Sequence, residues 1–166
     1  MSKLPTYEEA AALREVTRLV VPASFIDAND HVNVACYLEL AGGGVGKVLS
    51  QCGAGPHSAL APNSSIFSAE QHLTYVSEVL LGEEVTVHTR LLQRSARAVH
   101  AMSFVVNRTR PALSLVFEVV LLNIDMRTRR TAPFSHEIAH SLDVEIERDL
   151  QASWPAPLSD RMSLRL

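Results

Sequence analysis

The chain has 166 residues, 47% of them hydrophobic and 20% charged, with a formal net charge of −3. That is ordinary for a globular protein and long enough to bury a core, so one domain over 1–166 is expected. The longest strongly apolar run, Val119–Leu122, is far too short to span a membrane. Residues 88–134 carry eight arginines against Glu118 and Asp125, a balance of +6 that leaves −9 for the remainder. Arginine outnumbers lysine by 13 to 2. Guanidinium is the better bidentate phosphate ligand, so these arginines are either solvated strand ends or a site for an anion. No basic helix or aromatic-basic platform accompanies them, which argues against nucleic acid.

Thr6-Tyr-Glu-Glu9 has capping-box spacing and predicts a short helix over 7–14. Val16 to Ile26 reads as a first strand, with Pro22 marking an edge or bulge. From Asn33 the apolar positions Val34, Leu38, Val45 and Leu49 recur at helical spacing to about Cys52. That helix would be about 30 Å long. Gly42-Gly-Gly-Val-Gly46 lies in its middle, implying either close approach of a sheet or a break in the helix. A phosphate loop is a poor match, because no Gly-Lys-Ser/Thr follows the glycines.

Gly53 to Ser64 reads as a loop. Four strand-like stretches follow, at 65–77, 84–94, 97–107 and 113–126, joined by short turns as in an antiparallel sheet. Ile138, Leu142, Ile146 and Leu150 recur every four residues and predict a C-terminal helix over about 136–151, packed on the outside of the sheet. Periodicity by itself supports α+β with an antiparallel sheet.

Cys36 and Cys52 are the only cysteines, without Cys-x-x-Cys spacing, and the histidines show no His-x-x-x-His. Neither a metal nor a cofactor is expected. Met1-Ser-Lys-Leu-Pro-Thr6 lacks the apolar core of a signal peptide, so the expectation is a soluble cytoplasmic protein with reduced thiols.

Chemistry concentrates in Asp27-Ala-Asn-Asp-His31-Val-Asn33-Val-Ala-Cys-Tyr37, where the chain turns from strand to helix N-terminus. Such a terminus presents unpaired backbone N–H groups that can hold an anion or polarise a carbonyl. A carboxylate beside those donors is a workable layout for hydrolysing an acyl group. On the next strand Glu70, His72 and Thr74 alternate onto one face, which is either solvated or a wet site.

The spacing Asp-x-x-x-His-x-Asn-x-x-x-Tyr resembles the Asp-x-x-Gly-His-x-Asn-x-x-x-Tyr signature of hotdog-fold acyl-CoA thioesterases of the 4-hydroxybenzoyl-CoA thioesterase type. Asp27, His31, Asn33 and Tyr37 match, while Asp30 stands in place of the glycine. The resemblance runs from about Val16 to Phe134. The form Glu70-Gln-His72-Leu-Thr-Tyr75 is similar to a subgroup that includes thioesterases of carnitine and betaine catabolism. The resemblance implies a hotdog fold, a curved antiparallel sheet wrapped around a long central helix. It also implies a homodimer or dimer of dimers with sites at the subunit interface, where Glu70 and the arginines act across from Asp27.

On that resemblance the expected reaction is hydrolysis of an acyl-CoA thioester, with the carbonyl held by backbone N–H groups near residues 33–37. Asp27 activates water or attacks directly, with Asp30, His31, Asn33 and Glu70 as further catalytic candidates. Asp27 has the alternative of capping the turn, His31 of orienting it, and Asn33 of shaping the helix start. Asp30 either tolerates an unusual backbone angle or points into the site. Tyr37, His72, Arg94 and Arg97 are the candidates for substrate binding. Phe67, Tyr75, Phe104 and Phe117 either line an acyl pocket or fill the core, and an aromatic cage would suit a trimethylammonium acyl group. Two rivals share the fold: a non-catalytic acyl-CoA-binding protein, and an enoyl-CoA hydratase whose Asp-x-Asn-Pro-x-His pattern Asp27-Ala-Asn29 begins but does not complete.

Overall fold

Thr6 and Glu9 form the expected reciprocal capping box, and helix α1 (Tyr7–Ala11) begins there in the computed structural model, which describes residues 3–56, 58–162 and 164. It stops at Ala11 rather than 14 because Leu13 is needed elsewhere. The Leu13 carbonyl accepts from His88 Nδ1 at 2.8 Å, and the other ring nitrogen bonds Thr86 Oγ1 at 2.9 Å. Burial holds the His88 pKa below its ordinary value.

Strand β1 (Glu15–Val20) is shorter than expected, since Pro22 removes a backbone donor and a 3₁₀ turn over Ala23–Phe25 replaces the extended chain. Helix α2 (Val34–Gln51) starts at Asn33, whose side chain accepts from the Ala35 N–H, and runs unbroken through the glycines to its cap at Cys52. Among the described residues no helix is long and apolar enough to cross a membrane.

The remaining strands are β2 (Ser64–Tyr75), β3 (Glu84–Arg94), β4 (Ala98–Asn107), β5 (Ala112–Asp125) and a two-residue β6 (Arg130–Thr131). They form one antiparallel sheet in the order β1-β3-β4-β5-β2, with β6 beside β5. β1 and β2 are its edges. The inner face packs on α2 through Val87, Val99, Ala101, Val105, Leu115 and Phe117, against Ala41, Val45, Val48 and Leu49 of the helix.

Helix α3 (His136–Asp149) corrects the sequence reading. Ile138, Leu142 and Ile146 join the same inner core as α2 instead of packing on the outside. A bulge in β3 between Leu91 and Gln93 frees the Leu91 N–H, which donates to Asp149 Oδ2 at 2.7 Å and pins the C-terminal end of α3. Leu150, the last member of the periodic series, is exposed. The outer face is covered instead by α1 and by the segment around Trp154, over Met102, Phe104, Val106 and Val116.

Only one of the central glycines makes the close approach that their spacing suggested. A Cβ on Gly44 would lie 2.7 Å from Val87 Cγ1 and 3.2 Å from the hydroxyls of Thr89 and Ser103, whereas Gly42, Gly43 and Gly46 face open space. Overpacking a core costs about 1–3 kcal/mol. Gly→Ala in a helix otherwise gains about 1 kcal/mol. Gly44→Ala is therefore expected to lower the unfolding free energy despite its better helix propensity, measured by urea denaturation; an unchanged or raised midpoint would refute the tight seat.

Candidate active site

The acidic motif folds as a tight turn bridging Ile26 and Val32. The Asp27 N–H donates to His31 O at 3.0 Å, the Asp30 N–H to Asp27 O at 3.1 Å, and the Asn29 N–H to Asp27 Oδ1 at 2.8 Å. Asp30 adopts φ +61°, the left-handed conformation of the glycine it replaces. Asp tolerates this unusual backbone angle better than most residues. The Asp27 carboxylate is one-fifth exposed (21%), and its Oδ1 lies 3.7 Å from His31 Nε2.

Asn33 organises the helix start more completely than the motif suggests. Its N–H donates to Phe25 O, its side chain takes the Ala35 N–H, and its carbonyl takes the N–H groups of Cys36 and Tyr37. Of the amides at 33–37, the Val34 N–H is thus left without a hydrogen bond among the described residues. The expected row of free donors reduces to one, at the first residue of α2.

This turn meets the end of β2 and the segment after it. His31, Val34, Tyr37, Tyr75, Ser77 and Glu78 line a cleft of about 280 Å³. The rings of Tyr37 and Tyr75 pack edge to face with centroids 5.6 Å apart. Tyr37 is buried and its hydroxyl lies 3.5 Å from Ser77 O, while Tyr75 is half exposed (49%). Burial raises the Tyr37 pKa to about 12, so the phenol stays neutral. The wall beyond Glu78 is fixed by Arg110, which pairs with buried Glu83 and donates to Glu78 O at 3.2 Å. The Arg110 guanidinium holds the Glu83 carboxyl below its ordinary pKa. Glu78 and Ser77 carry no sequence signal beyond their place after Tyr75.

Glu70 and His72 are not brought to this turn. The β2–β5 register shifts between Ser68 and Glu70, and this bulge reverses the phase of the strand. Ser68, Gln71, Leu73 and Tyr75 consequently sit on the α2 side, whereas Glu70, His72 and Thr74 share the outer face with Val120, Glu118 and Val116. His72 Nε2 is 3.4 Å from Thr74 Oγ1.

The arginines also disperse. Arg94 makes a bidentate pair with Asp143 of α3 at 2.5 and 2.6 Å, and Arg97 is exposed in the β3–β4 turn, at the opposite end of the sheet from Asp27. Arg108 and Arg129 lie over the rings of Tyr7 and Phe67. Phe104 belongs to the outer core and Phe117 to the inner one, so neither lines the cleft.

A second concavity of about 650 Å³ runs between α2 and edge strand β2, bounded by Leu38, Gly42, Gly43, Gly46, Ser68 and Gln71. A curved antiparallel sheet around one long helix, entered through an acidic turn, is the hotdog architecture. The chain belongs to the thioesterase-like superfamily, whose family model matches residues 21–142. It is 29% identical over 115 residues to a betainyl-CoA thioesterase of Pseudomonas aeruginosa, covering 69% of this chain and 72% of that protein. It is 26% identical over 140 residues to an L-carnitine dehydrogenase/betainyl-CoA thioesterase of Agrobacterium fabrum, covering 84% of this chain but spanning only 28% of the relative's length. A hypothetical protein of Staphylococcus aureus, solved in complex with CoA, superposes with a TM-score of 0.80 at 21% identity, covering 92% of this chain and 97% of that one.

A left-handed backbone costs a β-branched residue about 1–2 kcal/mol relative to glycine. Asp30→Val and Asp30→Gly are expected to differ in unfolding free energy by about that amount, Val being the less stable; equal stabilities would mean that the turn relaxes.

Proposed function

We propose that this chain hydrolyses acyl-CoA thioesters, with Asp27 as the acting carboxylate and the Val34 N–H polarising the thioester carbonyl. The observation that carries the reading is the Asp27–His31 turn set directly before the free amide of α2. The Asn29 N–H ties one oxygen of Asp27, and Oδ2 makes no hydrogen bond among the described residues. Water that gives a proton to that oxygen adds to the carbonyl carbon and the C–S bond breaks to release the CoA thiolate, or the oxygen itself displaces the thiolate to form an acyl–Asp27 anhydride that water then hydrolyses to the free acid. Both routes need the carboxylate. The leaving thiolate is stable enough that a strong general acid is not required. His31 orients Asp27 at the cleft side of the turn.

The acyl group we propose carries a quaternary ammonium. Tyr37 and Tyr75 supply aromatic edges and faces, and Glu78 supplies a nearby carboxylate. Cation–π contacts are worth about 0.5–2 kcal/mol. The betainyl-CoA thioesterases among the relatives support the same choice.

Thiol release from betainyl-CoA and from its neutral carbon isostere, 3,3-dimethylbutyryl-CoA, tests both parts. Asp27→Asn is expected to lower turnover by about 10²-fold or more with either ester. Wild type should prefer betainyl-CoA by roughly tenfold, and Tyr75→Leu should narrow that preference. Equal rates on the two esters would remove the cationic reading and leave hydrolysis standing. Binding of acyl-CoA without turnover would favour the non-catalytic reading.

The unit we propose is a homodimer joined through β2, which has no strand partner on its outer edge among the described residues. Antiparallel pairing about a two-fold axis sets the Ser64 end of one β2 beside the Tyr75 end of its partner. Exposed Arg127 and Arg130 next to Ser64 and Asp125 would then approach the partner's cleft, where CoA phosphates need a cation. Arg127→Ala/Arg130→Ala is expected to raise KM for a CoA ester several-fold, with kcat within about twofold, and to leave a pantetheine thioester unaffected. An equal effect on both esters would count against phosphate binding by these residues, and a monomer in sedimentation would remove the dimer.

A further inference from the structure

The outer face of the sheet holds a cation with too few partners. Arg90 of β3 is only 4% exposed, yet of its five N–H bonds the one at Nη1 that reaches Trp154 O at 3.2 Å is its sole hydrogen bond among the described residues. Its Nε is buried with no hydrogen-bond partner among the described residues. The guanidinium lies over the Trp154 ring, 4.7 Å from the centroid. No carboxylate among the described residues comes within ion-pairing distance. Asp149 is the acid whose charge acts on Arg90, but its oxygens are bonded to the Leu91 N–H at 2.7 Å and to Arg148 at 3.4 Å. A buried charge carries a large desolvation penalty unless a counter-ion and hydrogen bonds offset it, and burial depresses the Arg90 pKa accordingly.

Beside this guanidinium is a cleft of about 480 Å³ between β3, β4 and the segment after α3. Its polar lining is Arg90, Gln93, His100 and Ser153, and its walls are apolar, chiefly Leu92, Trp154 and Pro155. Gln93 Nε2 lies 3.4 Å from His100 Nδ1, and His100 Nε2 is bound to Glu118 Oε1 at 2.9 Å. Glu118 therefore stands behind His100, its second oxygen taken by the Ser159 N–H at 2.8 Å. One guanidinium with an acid one residue behind it suits a monoanion better than a phosphate dianion, and the apolar walls suit a hydrocarbon body.

We propose that this cleft binds a monocarboxylate with a short apolar chain, its carboxylate on Arg90 and its chain against Trp154. The site lies on the opposite face of the sheet from Asp27, so it stands or falls independently of thioester hydrolysis. Trp154 is the only tryptophan in the chain, which makes intrinsic fluorescence a local reporter of occupancy.

The test is a fluorescence titration of the full chain with hexanoate, hexanamide and inorganic phosphate. Hexanoate is expected to give a saturable change, with hexanamide at least about tenfold weaker because it lacks the charge. Arg90→Gln should abolish the hexanoate response. Ala152→Leu, which fills the cleft while leaving Arg90 and Trp154 in place, should do the same and guards against a folding defect in the first variant. Absence of a saturable response, equal binding of hexanamide, preferential binding of phosphate, or undiminished hexanoate binding in both variants would each overturn the proposal.

Discussion

The contact between α2 and the middle of the sheet positions everything else in the molecule. At Gly44 the helix backbone comes so close to Val87, Thr89 and Ser103 that a single methyl group would not fit without movement. This depth of seating carries the N-terminus of α2 to the acidic turn and its C-terminus to α3. At the near end Asn33 gathers the first amides of the helix and leaves one of them free. At the far end the Cys52 thiol approaches Ser141 O at 3.8 Å, linking the two inner helices. A shallower helix would separate the turn from Tyr75 and open the cleft between them.

The second constraint is the irregularity in β2. One extra residue at Ala69 rotates the rest of the strand by half a pleat, so Tyr75 faces α2 and Glu70 does not. The same kind of shift in β3 exposes the Leu91 N–H to Asp149. Both bulges turn a regular ladder into a place where a side chain or a helix end attaches. Residues that set the character of the two faces are thus fixed by register as much as by identity.

Much of this was legible in the amino-acid order. The capping box at Thr6 and Glu9, the helix from Asn33 to Cys52 and the four long strands appear within a few residues of their expected limits, because each rests on local periodicity and capping chemistry. The acidic motif correctly marks a turn into a helix, since Asx and N-cap bonds are made by nearest neighbours. What escaped was non-local. The alternation of Glu70, His72 and Thr74 is real, but a bulge decides which side of the sheet it faces, and bulges leave no periodic trace. The arginine-rich stretch left solvated strand ends and an anion site as alternatives, and composition could not show that Arg94 pairs with α3, Arg110 with Glu83, and that Arg90 is buried under Trp154. The apolar stripe of α3 announced a buried face, but the expectation that it packs on the outside of the sheet was wrong, since periodicity does not say which layer buries it.

The outer layer has a consequence for how the chain is made. Met102, Phe104 and Val116 are covered jointly by α1 and by the segment around Trp154, pieces that come from opposite ends of the described sequence. A ribosome delivers residues in order, so the nascent sheet is complete through β5 well before Trp154 emerges. During that interval a strip of apolar strand surface faces water with only α1 to shield it. The long sequence separation of the Leu13–His88 and Arg90–Trp154 contacts makes the closing of this layer a late and slow event. The newly synthesised protein therefore passes through a stage in which its back, rather than the side that carries the acidic turn, is the surface most exposed to unwanted association.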